Sequence, residues 1–419
     1  MNDASSIAAL DEVPRCPNGY DPIDNEALRD PWAALSELRD RCPVSKVHTG
    51  GVDVVVVARF DDVAAVERNH RFFGNIGHHP HPDAVAGLPD SQRNLSSTDL
   101  PRQAALRRLY LEALRPGYVD EQSPAIASVV RDVTDGFVER LDSGVVDLVA
   151  GWAVPIPALV IATALGLPRE DADMIHEWVE SNFSDPPLNP DGSTAPVRRH
   201  PIDFAAYLHD RISRRRCEPS DDAISRMLAH VGPDGTTFTD DEVAFYVRDI
   251  LFAGNETTTS VLSNFMFRVL EDPARYERLQ REPRLIEAAL EESLRFDTPL
   301  MQFARLVLAD ADVGGYRVDA GTVLSLSMPS ANRDSRRFGP DADRFVLDRY
   351  VDGDVNHLTF GVGIHQCVGA YLARATSRAA TKDLLARNLP LRLVPGATFD
   401  KVRFYEFWRS RAVPVHLDR

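Results

Sequence analysis

Hydrophobic and polar positions along the chain predict a helix-dominated protein with a minor β component. The first third reads helix, strands, helix. Val52 to Ala58 is a β-branched run of the kind that fills a buried strand, and Asp61 to Asn69 follows as a short helix. From Gly74 to Ser97 no period is sustained and Gly, Pro, Asn and Ser dominate, which predicts a long loop of the functional sort. The middle of the chain is mainly helical, broken by a second irregular stretch, Ser184 to Pro201, that reads as an interdomain linker or as a lid. Thr239 and Glu242 have the spacing of a capping box and open a long helix that runs past Thr259 toward Glu271. Arg284 to Arg295 is a further helix, Val313 to Met328 a hairpin about Gly314-Gly315, and a last long helix starts at Cys367.

Length alone, 419 residues, sets a prior of two or three domains. The chain carries 47 basic and 63 acidic side chains, a net charge of −16, which disfavours non-specific binding to nucleic acid or anionic lipid. No basic, then apolar, N-terminal pattern predicts a signal peptide or anchor. Leu148 to Pro168 is uncharged and long, but Pro155 and Pro157 fall inside it, so a short apolar loop leading into a buried helix is expected rather than a membrane span. A cytosolic protein is the expectation. Cys16, Cys42, Cys217 and Cys367 lie far apart with no Cys-x-x-Cys pair, and three of them read as ordinary thiols.

Cys367 is different. In Phe360-Gly361-Val362-Gly363-Ile364-His365-Gln366-Cys367-Val368-Gly369, Gly361 and Gly363 allow a tight turn and Cys367 is expected in the first turn of a helix. Free N–H groups and the dipole there favour thiolate. Gly369 leaves room for a flat ligand, Phe360 can cover the sulfur, and His365 projects toward an anionic group. A buried thiol in a Gly-rich turn and a zinc site through His365 and Cys367 are the alternatives; zinc lacks a second ligand pair. The segment resembles the haem-binding signature of the cytochrome P450 family, Phe-x-x-Gly-x-(His/Arg)-x-Cys-x-Gly, at every fixed position.

Ala253-Gly254-Asn255-Glu256-Thr257-Thr258 lies within the long helix, with Ala253, Gly254 and Thr257 on one face. A helical Gly costs roughly 1 kcal/mol against Ala, so close approach is expected there. The Thr257 hydroxyl can bond a carbonyl four residues back. The segment is similar to the family's oxygen-binding groove, which implies that Thr257 positions oxygen and a water while Glu256 relays protons from solvent. Glu292 and Arg295, three apart, would by themselves be a weak surface pair. In the family such a pair is buried and closed by a second arginine, for which Arg344 is the match.

The same resemblance implies contacts to the cofactor's carboxylates from Arg305, His357 and His365, and from Arg107. Gln103 stands where the family commonly has His; it can donate a hydrogen bond but carries no charge. His78, His79 and His81, interrupted by Pro80 and Pro82, read as a loop lining the substrate channel rather than as a metal site. By family position the pocket would draw on Phe252, Leu300, Met301, Phe303 and Trp408, a largely apolar set that includes the region of Phe407.

The resemblance covers nearly the whole chain and implies the cytochrome P450 fold, mainly α with a minor β region, as one triangular prism-like domain over residues 1–419. Ser184 to Pro201 then becomes a lid. The activity implied is a bacterial-type monooxygenase holding haem b (iron protoporphyrin IX) through Cys367. It would use O2, a small, largely apolar organic substrate and electrons from a separate ferredoxin and ferredoxin reductase. Arg374 and Arg378, seven and eleven residues after Cys367, with Arg108 and Arg115, would form a basic patch for that donor, or are ordinary helix charges. A haem-thiolate protein that binds a partner, or rearranges its substrate without oxygenating it, is the second class.

Overall fold

The computed structural model describes residues 13–15, 19–78, 88–89, 92–171, 174–175, 177–178, 203–402 and 404–418. The Ser184 to Pro201 stretch lies outside the described residues, as do Cys16, His79 and His81. The chain is mainly helical with small sheets and divides into two compact units.

The first unit gathers residues 1–103, 291–367 and 403–408. Its five-stranded sheet runs in the order Val44–Thr49, Val52–Val57, Val323–Ser327, Gln302–Val307, Phe73–Asn75. Only the pairing of Val52–Val57 with Val323–Ser327 is parallel. The β-branched run is therefore an interior strand, and Val54 to Val57 are buried. The helix Phe60–Arg68 lays Phe60, Val63, Ala64 and Val66 on the same core. Two expectations are corrected here. The sequence Val313 to Met328 is not one hairpin: Ala311–Val313 and Tyr316–Val318 turn at Gly314-Gly315, but Val323–Ser327 leaves them for the main sheet, where it pairs on both sides with Val52–Val57 and Gln302–Val307. The expected loop from Gly74 begins as a short strand, because Phe73 to Asn75 complete the sheet edge beside Val307 to Arg305.

The second unit gathers residues 104–290, 368–402 and 409–419. Its axis is the 31-residue helix Asp240–Leu270, opened by the capping box: Thr239 Oγ1 accepts from Glu242 N–H, and Glu242 Oε2 accepts from Thr239 N–H at 3.0 Å. Pro155–Leu165, Ser123–Leu141, Phe204–Cys217 and Ala370–Ala386 are helices of the same unit, and a three-stranded sheet is built from residues 146–147, 414–417 and 391–393. The apolar Leu148 to Pro168 stretch is not a loop at its start. Val149–Ala153 form a π-helical turn, and Pro155 then opens a buried helix ending at Gly166 in the left-handed conformation. Among the described residues no helix is long and apolar enough to cross a membrane.

Candidate functional site

The cysteine loop is built by a turn that only glycine permits. Gly363 has φ +78°, and a Cβ there would sit 2.9 Å from the carbonyl oxygen of Glu67, a backbone atom with nowhere to go. A 3-10 turn over Gly363–His365 follows, and Cys367 N–H donates to Phe360 C=O at 2.8 Å, closing the loop on the half-buried Phe360. The helix starts later than expected, at Ala370 with Gly369 as its N-cap, so Cys367 precedes the first turn. Its side chain is exposed and in no disulfide.

Side chains from distant segments hold this loop. Asn332 is buried; its Oδ1 accepts from Leu358 N–H at 2.7 Å and its Nδ2 donates to Thr359 Oγ1 at 3.0 Å. Gln103 is also buried and spends its amide on the carbonyl of Ile364, 2.7 Å away. That position thus clamps the loop, a role for which an uncharged donor suffices. His365 Nε2 lies 3.0 Å from Asp99 Oδ1, while its Nδ1 is buried and has no partner among the described residues. Glu67, unremarked in the sequence, accepts from Val362 N–H at 3.1 Å and pairs with Arg305 at 3.4 Å. Both side chains are almost fully buried. Burial pushes the Glu67 carboxyl up to about 7 against the pull of Arg305, and lowers the Arg305 guanidinium from its ordinary value. Arg305 also donates to Asn75 Oδ1 at 3.1 Å.

Beneath the loop, Glu292 and Arg295 are wholly buried and doubly bonded at 2.7 and 2.8 Å. The second arginine is Arg349, not Arg344: Arg349 Nε stands 3.1 Å from Glu292 Oε2, whereas Arg344 contributes only its carbonyl, which accepts from Arg295. Both arginines lie in one irregular stretch, and only the turn of the chain there selects between them. His357 does not present a free edge. Its Nε2 faces Glu291 at 2.9 Å and its Nδ1 accepts from Thr359 N–H, contacts that brace the segment leading into the loop. Trp408, expected in the pocket, is a core residue: its indole N–H donates to buried Asp297 at 2.9 Å and its ring meets Trp32 edge-on. Met301 is buried as well, whereas Leu300 and Phe303 remain half-buried and Phe252 is 41% exposed. The His78 ring lies beside Phe303, centroids 5.1 Å apart, and burial lowers its pKa to about 4, so it is neutral.

In the second unit the long helix brings Thr257 Oγ1 to the carbonyl of Ala253, where it donates at 2.9 Å. The close approach expected at Gly254 is to the neighbouring helix: a Cβ would lie 2.6 Å from Ile161 Cδ1. Glu256 is buried and ion-paired with buried Arg409, Nε to Oε1 2.6 Å, rather than open to solvent. No sequence signal pointed to Arg409, which lies 153 residues away in the chain. Of the basic patch, Arg378 shares Glu287 with Lys382, at 3.7 and 2.9 Å, while Arg108 and Arg115 are exposed and Arg374 is half-buried.

Among the described residues no group of three His, Cys, Asp or Glu is arranged to hold a bare metal ion. The donor set of the loop fits a haem instead: an exposed thiol for the iron, and for a carboxylate a buried ring nitrogen of His365 that has no partner among the described residues.

Comparison with known proteins agrees. The family model described as "Cytochrome P450" matches residues 202–388. The chain is 32% identical to vitamin D(3) 25-hydroxylase of Pseudonocardia autotrophica, over 90% of this chain and 91% of that one. It is also 32% identical to erythromycin C-12 hydroxylase of Saccharopolyspora erythraea, over 91% and 90%. The crystal structure of CYP109E1 from Bacillus megaterium in complex with corticosterone superposes with a TM-score of 0.80 at 26% identity, covering 94% of this chain and 100% of that one.

Proposed function

The chain belongs to the cytochrome P450 family and is a P450 monooxygenase, and we propose that it hydroxylates a mid-sized, largely apolar organic substrate with haem b ligated by Cys367. The observation that carries the ligand assignment is the exposed Cys367 thiol at the end of a loop braced by Gln103, Asn332 and Glu67. Arg305, His365 and Arg107 would hold the haem carboxylates. Bound through a thiolate, the haem supplies oxygen activation, since electron donation from sulfur favours O–O cleavage.

The protein's own part is positioning and proton delivery. Thr257 donates its proton to Ala253 C=O, which leaves its oxygen lone pairs to hold a water at the helix groove. Glu256 is paired with Arg409; on leaving that partner it would take up a proton from solvent and, turned toward Thr257, give it up there. Half-buried Leu300 and Phe303 would supply apolar contacts for substrate. One solved relative holds corticosterone and another relative is named an erythromycin C-12 hydroxylase, which supports a largely apolar substrate without selecting a member. Electrons would come from a separate ferredoxin and its reductase through the Arg108, Arg115 and Arg374 region.

The test is the visible spectrum of the purified protein, reduced and exposed to carbon monoxide. A strongly red-shifted Soret band, lost in Cys367→Ser, is expected. A histidine-type carbonyl spectrum, or no haem uptake, would remove the assignment.

A further inference from the structure

Two carboxylates serve the cysteine loop in parallel. Asp99 takes the ring of His365 at 3.0 Å with one oxygen and the amide of Asn75 at 2.9 Å with the other. Glu67 takes Arg305 at 3.4 Å with one oxygen and the amide of Val362 at 3.1 Å with the other. Each acid therefore ties one cation-forming side chain to one backbone donor. They differ in burial: the Asp99 side chain is 35% exposed, that of Glu67 only 2%. A buried carboxylate is costly and is tolerated where its pairing does work that an apolar side chain cannot. The helix Phe60–Arg68 also carries the backbone against which Gly363 packs, so Glu67 reaches the loop at its closest approach to that helix.

We propose that Glu67 is a positioning residue of the cofactor site: one buried carboxylate sets both the cysteine loop, through Val362, and the guanidinium of Arg305. The inference rests on the reading of Cys367 as haem ligand and of Arg305 as a contact to a haem carboxylate. Two consequences follow. Removing the acceptor strands the Val362 amide and loosens the loop that carries the iron ligand. Removing the charge alone leaves the loop held but Arg305 uncompensated, so the surroundings of the iron become more positive and the reduced state is favoured. The charged groups acting on Glu67 are Arg305 and Arg68, and Asp99 acts in turn on Arg305.

The experiment compares haem transfer to apomyoglobin and the midpoint potential in wild type, Glu67→Gln and Glu67→Leu. Potentials are read at about pH 8.5, where a carboxyl pushed up to about 7 is ionised. Glu67→Gln, which keeps an acceptor for Val362, is expected to lose haem no faster than wild type and to have a more positive potential. Glu67→Leu is expected to lose haem about tenfold faster or more, the scale of one stranded buried amide. Equal haem loss in Glu67→Leu and wild type would overturn the proposal. If Glu67→Leu does not fold, Glu67→Gln decides alone: an unmoved potential, or haem loss as fast as the tenfold expected for Leu, overturns it. A wild-type protein that takes up no haem overturns the parent reading and this one together, and is recognised by the missing Soret band.

Discussion

At the residue scale the acid and the alcohol of the long helix have unequal surroundings. Thr257 keeps its helix carbonyl contact and stays partly exposed, while Glu256 is buried against Arg409. Thr257→Ala removes the hydroxyl without disturbing packing, so the expected outcome is less product and more peroxide per electron consumed, with substrate affinity near wild type. Arg409→Gln strands a buried carboxylate, and breaking such a pair on one side typically costs ~3–5 kcal/mol. Chemical denaturation should register that loss, and the double variant with Glu256→Gln should recover much of it. A full loss in the double variant would mean that Arg409 stabilises its surroundings by packing alone.

At the scale of elements, two glycines mark where backbone comes close, and they predict different responses. In Gly254→Ala the new methyl meets Ile161 Cδ1, the end of a flexible side chain. Overpacking of this kind costs roughly 1–3 kcal/mol, and Ile161→Val in the same chain should relieve part of it, which a thermal melt of the single and double variants would show. Gly363→Ala meets the backbone of Glu67 from a left-handed conformation, so no neighbouring side chain can yield. Its loss should exceed that of Gly254→Ala, resist rescue, and appear as weakened haem retention.

Across the whole molecule, charge and pH enter. The carboxyl of Glu67 rises from 4.5 to about 7 on folding, so the folded protein keeps a proton that the unfolded chain releases over that interval. This contribution to stability is present below about 4.5 and is lost as pH rises through about 7. The stability of wild type relative to Glu67→Gln should therefore fall between those two pH values; a flat difference would place the titration elsewhere. On a chain of net charge −16, the exposed Arg108 and Arg115 and half-buried Arg374 are the proposed contact for an acidic electron donor. Arg374→Glu is expected to slow electron delivery, more so at low salt, and to leave substrate affinity unchanged; stopped-flow reduction with a ferredoxin measures it.

The sequence by itself determined the family, the helix-rich class, the capping box, the cysteine loop, and the Ala253-Gly254-x-Glu256-Thr257 segment, because each is a pattern of neighbours within one turn or one loop. Local spacing dictates such patterns, and a handful of residues carries each. Tertiary structure alone decided who partners whom across the chain. It chose Arg349 over Arg344 for Glu292, gave Glu256 to Arg409, turned His357 toward Glu291 and Trp408 toward Asp297, and set Glu67 under the cysteine loop. It also sent Val323–Ser327 to the main sheet instead of the nearby hairpin. The physical reason is the same in each case. A buried charge or amide must find a partner somewhere, and which one it finds depends on how distant segments are brought together, not on residues beside it in sequence.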